Sequence, residues 1–317
     1  MKKTILASSL GFIALLTACG GGGADSSTST ATAVNTPTPT ASPAPSASPI
    51  PAPQAVNISF VAKSGAEAVK CGTPITSIGN PSTAAQLKDL RLYLSNVVLI
   101  TSDNREVPLK LTANDWQNSE VALIDLEDGT GSCAGGTSAT NANIIGEVPA
   151  GTYTGLKMTV GVPSNQNHTD YATASAPMNV QAMAWSWQSG RKFAKIEVTD
   201  PQGVAGTWTA KTFMVHLGST GCTGNPATGA TTTCTSSNRM DVKLSSFNPA
   251  NQNVVIDLQT LLANSNVTIN GGGPAGCMSG KTDPECTAIF SAFKIDLNAG
   301  TSINGGDGQQ LFRVEAK

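Results

Sequence analysis

Two imidazoles are all the histidine that this 317-residue chain contains. His168 lies in a polar turn, Ser164-Asn165-Gln166-Asn167-His168-Thr169-Asp170. His216 lies near the end of a strand-like run, Lys211-Thr212-Phe213-Met214-Val215-His216-Leu217-Gly218. Between them, Met183-Ala184-Trp185-Ser186-Trp187-Gln188 holds two of the four tryptophans. Two imidazoles, nearby thioethers and an indole pair are the donor set of a soft metal such as copper. Each piece also has a plainer reading. If Thr212 to Leu217 is a strand, Phe213, Val215 and Leu217 share the face expected to be buried. Thr212, Met214 and His216 then share the other, so His216 equally suits a residue facing water. His168, between Pro163 and Pro177, reads as an exposed loop histidine, with Asp170 or a backbone carbonyl available to orient one ring nitrogen. In a strand, Met183, Trp185 and Trp187 fall opposite Ala182, Ala184 and Ser186, as packing against a second sheet requires. Trp116 reads as a core or turn residue and Trp208 as a loop or strand residue.

Those residues need a rigid frame, and the cysteines point to one. Apart from Cys19, six remain: Cys71, Cys133, Cys222, Cys234, Cys277 and Cys286. An even number suits disulfides, and six cysteines allow fifteen pairings. Local pairing within Cys222 to Cys234 and within Cys277 to Cys286 leaves Cys71 for Cys133. A zinc site is the competitor, but no Cys-x-x-Cys occurs. Strand-like runs recur at Asn57 to Val61, Leu90 to Ile100, Val121 to Leu126, Tyr153 to Val160, Phe193 to Val198, Lys211 to Leu217, Asp241 to Phe247, Asn253 to Leu258, Phe293 to Leu297 and Leu311 to Glu315. Between them lie Gly, Asn, Asp, Pro and Ser clusters. Ala84 to Leu90 and Leu258 to Ala263 each suit a helical turn or two. The expected fold is all-β, an antiparallel sandwich whose long loops are pinned by disulfides.

The N-terminus reads as an export and anchoring device. Lys2 and Lys3 precede a short apolar run, Ile5 to Leu16, too short for a stable membrane span. Leu16-Thr17-Ala18-Cys19 resembles the lipobox of bacterial lipoproteins, which implies that Cys19 carries lipid after cleavage. No Asp follows it, which favours an outer-membrane anchor facing the periplasm. Residues 20–54 are Gly, Ser, Thr, Ala and Pro with a single charge, Asp25. Such a segment cannot bury enough apolar surface to offset chain entropy and reads as a tether. Residues 55–317 then form one domain. Charged residues are 13% of the chain and the formal net charge is −2, with no basic patch, which argues against nucleic acid.

Taken together, the motifs resemble the MbnP family, the four-cysteine lipoproteins of the "metallo-mystery pair" systems. The resemblance runs from about Phe60 to Val314. It is carried by Asp89-Leu90-Arg91-Leu92-Tyr93-Leu94-Ser95-Asn96-Val97, Asp115-Trp116-Gln117, Asp125-Leu126-Glu127-Asp128-Gly129, Asn167-His168-Thr169-Asp170, Ala182-Met183-Ala184-Trp185-Ser186-Trp187-Gln188, His216-Leu217-Gly218-Ser219-Thr220-Gly221-Cys222, Gly276-Cys277-Met278-Ser279-Gly280 and Phe312-Arg313-Val314. It implies a periplasmic copper-binding β-sandwich that works beside a MauG-like di-haem peroxidase, which oxidises a tryptophan of the copper protein to kynurenine. On this reading His168 and His216 hold Cu(I), and Met178, Met183 and Met214 are secondary contacts. The oxidised residue is Trp185 or Trp187, with Trp116 ranked behind them. The chain is then a carrier or store of copper, and no enzyme itself. Two other classes compete. One is an anchored β-sandwich for adhesion or glycan binding, with the paired tryptophans as a stacking platform. The other is a hydrolase built on Asp125, Glu127 and Asp128, which lacks a nucleophile-base pair.

Overall fold

The computed structural model describes residues 52–185, 190–200, 208–209, 211–225 and 230–317. The export signal, Cys19, all but the last residues of the tether, and Trp187 lie outside the described residues. The strand Pro53–Ser64 opens two residues before the expected domain start. Within 53–317 the chain forms two packed sheets and a separate hairpin, a β-sandwich as expected.

The smaller sheet has six strands. Its central strand, Pro53–Ser64, buries Val56, Ile58, Phe60, Ala62 and Ser64 in strict alternation, the signature of a strand with one face on a core. It pairs antiparallel with Asn143–Pro149 and parallel with Gln252–Asp257, which in turn pairs with Phe312–Ala316. The larger sheet has nine strands and is organised around the 19-residue strand Thr83–Thr101. That strand pairs antiparallel with Pro74–Ile78, Glu106–Pro108, Val121–Asp125, Tyr153–Val160 and Ala194–Thr199. Next comes Thr212–Leu217, and then Gly276–Cys277 by a parallel pairing. Two parallel pairings therefore interrupt an otherwise antiparallel fold. The third sheet is the hairpin of Thr220–Asn225 with Ala230–Ser236. The disulfides are Cys71–Cys133, Cys222–Cys234 and Cys277–Cys286, the pairing that loop length favours.

Three local expectations differ from the structure. Ala84 to Leu90 is part of the long strand, because Ala85 and Leu87 are buried with period two. Phe293 to Leu297 begins on the last residue of the helix Cys286–Phe293, whose Ile289, Phe290 and Phe293 share a buried stripe at helical spacing, and continues as a turn with one bridge from Ile295 to Ser302. Lys294, left-handed at φ 54°, stops that helix and gives its N–H to the carbonyls of Phe290 and Ser291. Around Met183 the chain makes a 3₁₀ turn, Gln181–Met183, where a strand was expected. The short helix Leu258–Leu262 is present, capped by the Asp257 carboxylate, which accepts from the N–H groups of Gln259 and Thr260. Among the described residues, no helix is long and apolar enough to cross a membrane.

Candidate metal centre

One face of the larger sheet positions the chemistry. In Thr83–Thr101, Leu90, Leu92 and Leu94 alternate with Asp89, Arg91, Tyr93 and Ser95, and all seven are buried. The polar set is covered by loops. Tyr93 donates its hydroxyl to Pro177 O at 2.7 Å, and Ser95 donates to Gly161 O at 2.8 Å. The pairing register then places His216 opposite Lys195, Lys195 opposite Arg91, and Arg91 opposite Asp125. A second row sets Met214 opposite Glu197 and Glu197 opposite Asp89. Directly opposed residues share a face, so a charged mat runs across four strands and ends at the imidazole.

The mat satisfies itself by pairing, as buried charges must. Arg91 binds Glu127 and lies 3.2 Å from Asp125 and 3.5 Å from Asp89. Lys195 binds Asp89 and lies 3.0 Å from Glu197. Burial pushes Asp125 up to about 7 despite Arg91, and raises Asp89 against the pull of Lys195. These ion pairs occupy Asp125 and Glu127, and Asp128 is turned to its neighbour Thr130.

His216 is 6% exposed and therefore buried, whereas alternation alone also allowed it to face water. Its Nε2 lies 2.8 Å from Glu197 Oε1. Burial lowers the imidazole below its ordinary value, outweighing the opposing pull of the Glu197 carboxylate, so the ring is neutral. Burial also pushes Glu197 up, but its hydrogen bond from His216 and the charge of Lys195 win and bring it down to about 2. A carboxylate at Nε2 fixes the tautomer: Nε2–H donates, and Nδ1 carries the lone pair that a metal needs. Beside this ring is a cavity of about 330 Å³, lined also by Tyr171, Gln181, Trp185, Lys192 and Met278. Lys192 reaches over it to donate to Ala182 O and Ala184 O, and burial brings its ammonium down to about 8.

Trp185 is 4% exposed. Its N–H donates to Gly190 O at 3.0 Å, while Ala184 bridges Arg191. The benzo edge of the indole lies against Gly218, two residues beyond His216. A Cβ there would fall 2.5 Å from Trp185 Cζ3 and 2.8 Å from Arg191 O, so no larger residue fits.

His168 is buried at 7% exposure, against the expectation of an open loop. It follows the single helical turn Ser164–Asn167. Asn167, rather than Asp170, is the residue that engages it. The Asn167 amide is 3.1 Å from His168 Nε2 and its carbonyl accepts the Arg191 N–H at 2.9 Å. Buried Arg191 donates to the carbonyls of Asn167, Thr169 and Met178, which holds the loop that carries His168. The His168 ring packs against Gly190. It lines a second cavity of about 180 Å³ with Ser219, Thr233, Cys234 and Arg239. His216 thus lies beside Trp185 and His168 against Gly190.

His168 Nε2 is 3.4 Å from Cys234 Sγ, and the donor atoms of His168, Cys222 and Cys234 lie within 4.8 Å of one another. With the cysteines joined as a disulfide, this trio offers one imidazole and no thiolate. The other sequence candidates scatter. Met178 and Met183 are buried in the core, and Met214 is half-buried across from Glu197. Trp116 is half-buried at the core edge. Sequence reasoning missed Glu197 and Met278. Only the pairing register reveals the first, and the second lay in a quoted motif as a neighbour of Cys277.

A family model for MbnP matches residues 53–279. The chain belongs to the MbnP family. MbnP from Methylosinus trichosporium superposes with a TM-score of 0.75 at 35% identity, covering 84% of this chain and 99% of that one. No curated protein matches.

Proposed function

We propose that this MbnP-family protein is an exported, lipid-anchored carrier or store of copper, with Cu(I) as its cargo. The observation that carries the reading is His216: a buried, neutral imidazole whose Nε2 is committed to Glu197 and whose ring borders a cavity shared with Trp185 and Met278. Cu(I) accepts neutral imidazole and thioether and tolerates few ligands. His216 and Met278 are the residues to hold it at this cavity, while His168 lines a separate one.

The partner is a di-haem peroxidase, and Trp185 or Trp187 is its target, with Trp116 behind them. Kynurenine formation consumes two equivalents of hydrogen peroxide. Each inserts one oxygen atom at the indole C2–C3 bond and leaves as water, and hydrolysis then releases C2 as formate. The product carries a ketone and an aniline at the rim of the copper cavity. Trp185 is only 4% exposed, which weighs against a glycan-binding platform.

The test is a Cu(I) titration against a chromophoric chelator, with metal counted per chain. The wild type binds one equivalent, and His216→Ala loses it. Equal binding by His216→Ala would overturn the assignment. Peptide mapping of protein made with and without the peroxidase tests the tryptophan separately.

A further inference from the structure

Cys222 and Cys234 face each other across the hairpin, both half-buried. In the other two disulfides at least one sulfur is sealed: Cys133, Cys277 and Cys286 are at most 1% exposed. Thiol–disulfide exchange requires access to a sulfur, and the hairpin bond offers two half-buried sulfurs where Cys71–Cys133 offers one and Cys277–Cys286 none. Opening it does not release the hairpin. Thr220 pairs with Ser236 and Gly224 with Thr231 on either side of it, and the Thr223 and Thr233 hydroxyls are 2.9 Å apart. The freed sulfurs would therefore stay where they are, beside a buried imidazole 3.4 Å away. The cavity next to them also holds Arg239, whose guanidinium forms no ion pair among the described residues and whose Nε has no hydrogen-bond partner. This half-buried cation, which donates to Ser95 at 3.2 Å, favours anions beside it, and two thiolates would be such anions.

We infer that the Cys222–Cys234 disulfide is a redox gate over a second soft-metal site, formed by His168, Cys222 and Cys234. A dithiol donor supplies two electrons and two protons. The Cys222–Cys234 S–S bond breaks, the donor becomes a disulfide, and two thiols stand beside His168. Binding of Cu(I) then expels both thiol protons and forms two Cu–S bonds and one Cu–N bond. Exchange with a small-molecule disulfide reverses this: its S–S bond breaks, it takes the two electrons and two protons from solvent to become a dithiol, the Cys222–Cys234 bond re-forms, and Cu(I), left with one of three ligands, departs. Capture and release at this position thus follow the dithiol balance of the surroundings, whereas the site at His216 has no cysteine in it. The choice of ion rests on the copper reading, but the gate is read by an increment above whatever the oxidised chain binds.

The experiment compares the oxidised chain with the chain treated by a trialkylphosphine, which reduces disulfides without supplying a competing thiol. Each is titrated with Cu(I) against the chromophoric chelator. Reduction should add one equivalent, accompanied by a thiolate-to-copper absorption band in the near ultraviolet. Bound Cu(I) should also protect Cys222 and Cys234 from iodoacetamide, as mapped by peptide mass. Cys222→Ser/Cys234→Ser should keep the stoichiometry of the oxidised wild type and gain nothing on reduction. The inference is overturned if reduction adds no metal, if another disulfide opens first, or if the double variant still gains an equivalent. Should the double variant fail to fold, as seen by far-ultraviolet circular dichroism, the alkylation map of the wild type decides alone: unprotected Cys222 and Cys234 overturn it. Loss of copper from the oxidised chain with the increment intact would instead count against the site at His216.

Discussion

Glu197→Gln isolates what the carboxylate behind His216 contributes. The substitution keeps shape and an acceptor oxygen but removes the charge facing His216 Nε2 at 2.8 Å and Lys195 Nζ at 3.0 Å. The carboxyl is held down from 4.5 to about 2. A depressed acid contributes stability above its unfolded value, lost as pH falls through its folded value. The difference corresponds to about 3 kcal/mol as an upper bound at pH 7, since one unit is about 1.4 kcal/mol. Denaturant unfolding of the metal-free chain should show the variant less stable by up to that amount at pH 7, with the gap closing between about pH 4.5 and pH 2. Removing the orienting carboxylate should also weaken copper about 10- to 100-fold. The neutral amide no longer favours protonated imidazole, so proton competition for His216 should move to lower pH in the variant. Equal stability at pH 7 and pH 3, together with unchanged Cu(I) affinity, would refute the view that Glu197 acts through His216.

Met278→Leu should weaken Cu(I) about tenfold in the chelator titration, whereas Met183→Leu, in the core, should leave it unchanged; both swaps conserve volume and cost under about 1.5 kcal/mol. Gly218→Ala should displace the Trp185 indole and cost about 1–3 kcal/mol. Its thermal midpoint should fall by roughly 2–4 °C per kcal/mol, with a shift in tryptophan emission. Gly135→Ala, where a Cβ meets nothing within 4 Å, is the matched control. Asp125→Asn reports on the charged mat. Asp125 is raised from 3.8 to about 7 mainly by burial, so the folded state keeps a proton that the unfolded chain gives up, and its contribution to stability falls between those pH values. The variant should lose that slope and gain up to about 4 kcal/mol relative to wild type between pH 4 and pH 7.5, measured by urea unfolding.

Much of the frame was legible in the sequence because its cues are local. Period-two burial marked the strand Thr212–Leu217, and short cysteine spacings marked two disulfides. Both histidines stood out by type, yet their burial did not, because the cover comes from elsewhere in the chain. His168 is enclosed by Asn167, Gly190 and the distant hairpin that carries Cys234. Glu197 became visible only through strand register, which places it against Asp89 and Met214 across two neighbouring strands. Alternation also misled where polar residues were buried by loops, as in Asp89 to Ser95, where the sheet has no water-facing side. The Phe293 to Leu297 run looked extended because its alternation was judged apart from the helical spacing of Ile289, Phe290 and Phe293 just before it.

The strand Pro53–Ser64 sits between Asn143–Pro149 and Gln252–Asp257, and Gln252–Asp257 needs Phe312–Ala316 at its outer edge. The first strand of the domain thus waits for partners about 90 and 200 residues downstream, and the outer edge of its sheet is about 250 residues away. Contacts so distant in sequence make assembly slow, and they forbid the smaller sheet from closing on a growing chain. The smaller sheet is therefore complete only once Phe312–Ala316 is in place, and a chain clipped before Phe312 would lack the strand that completes it.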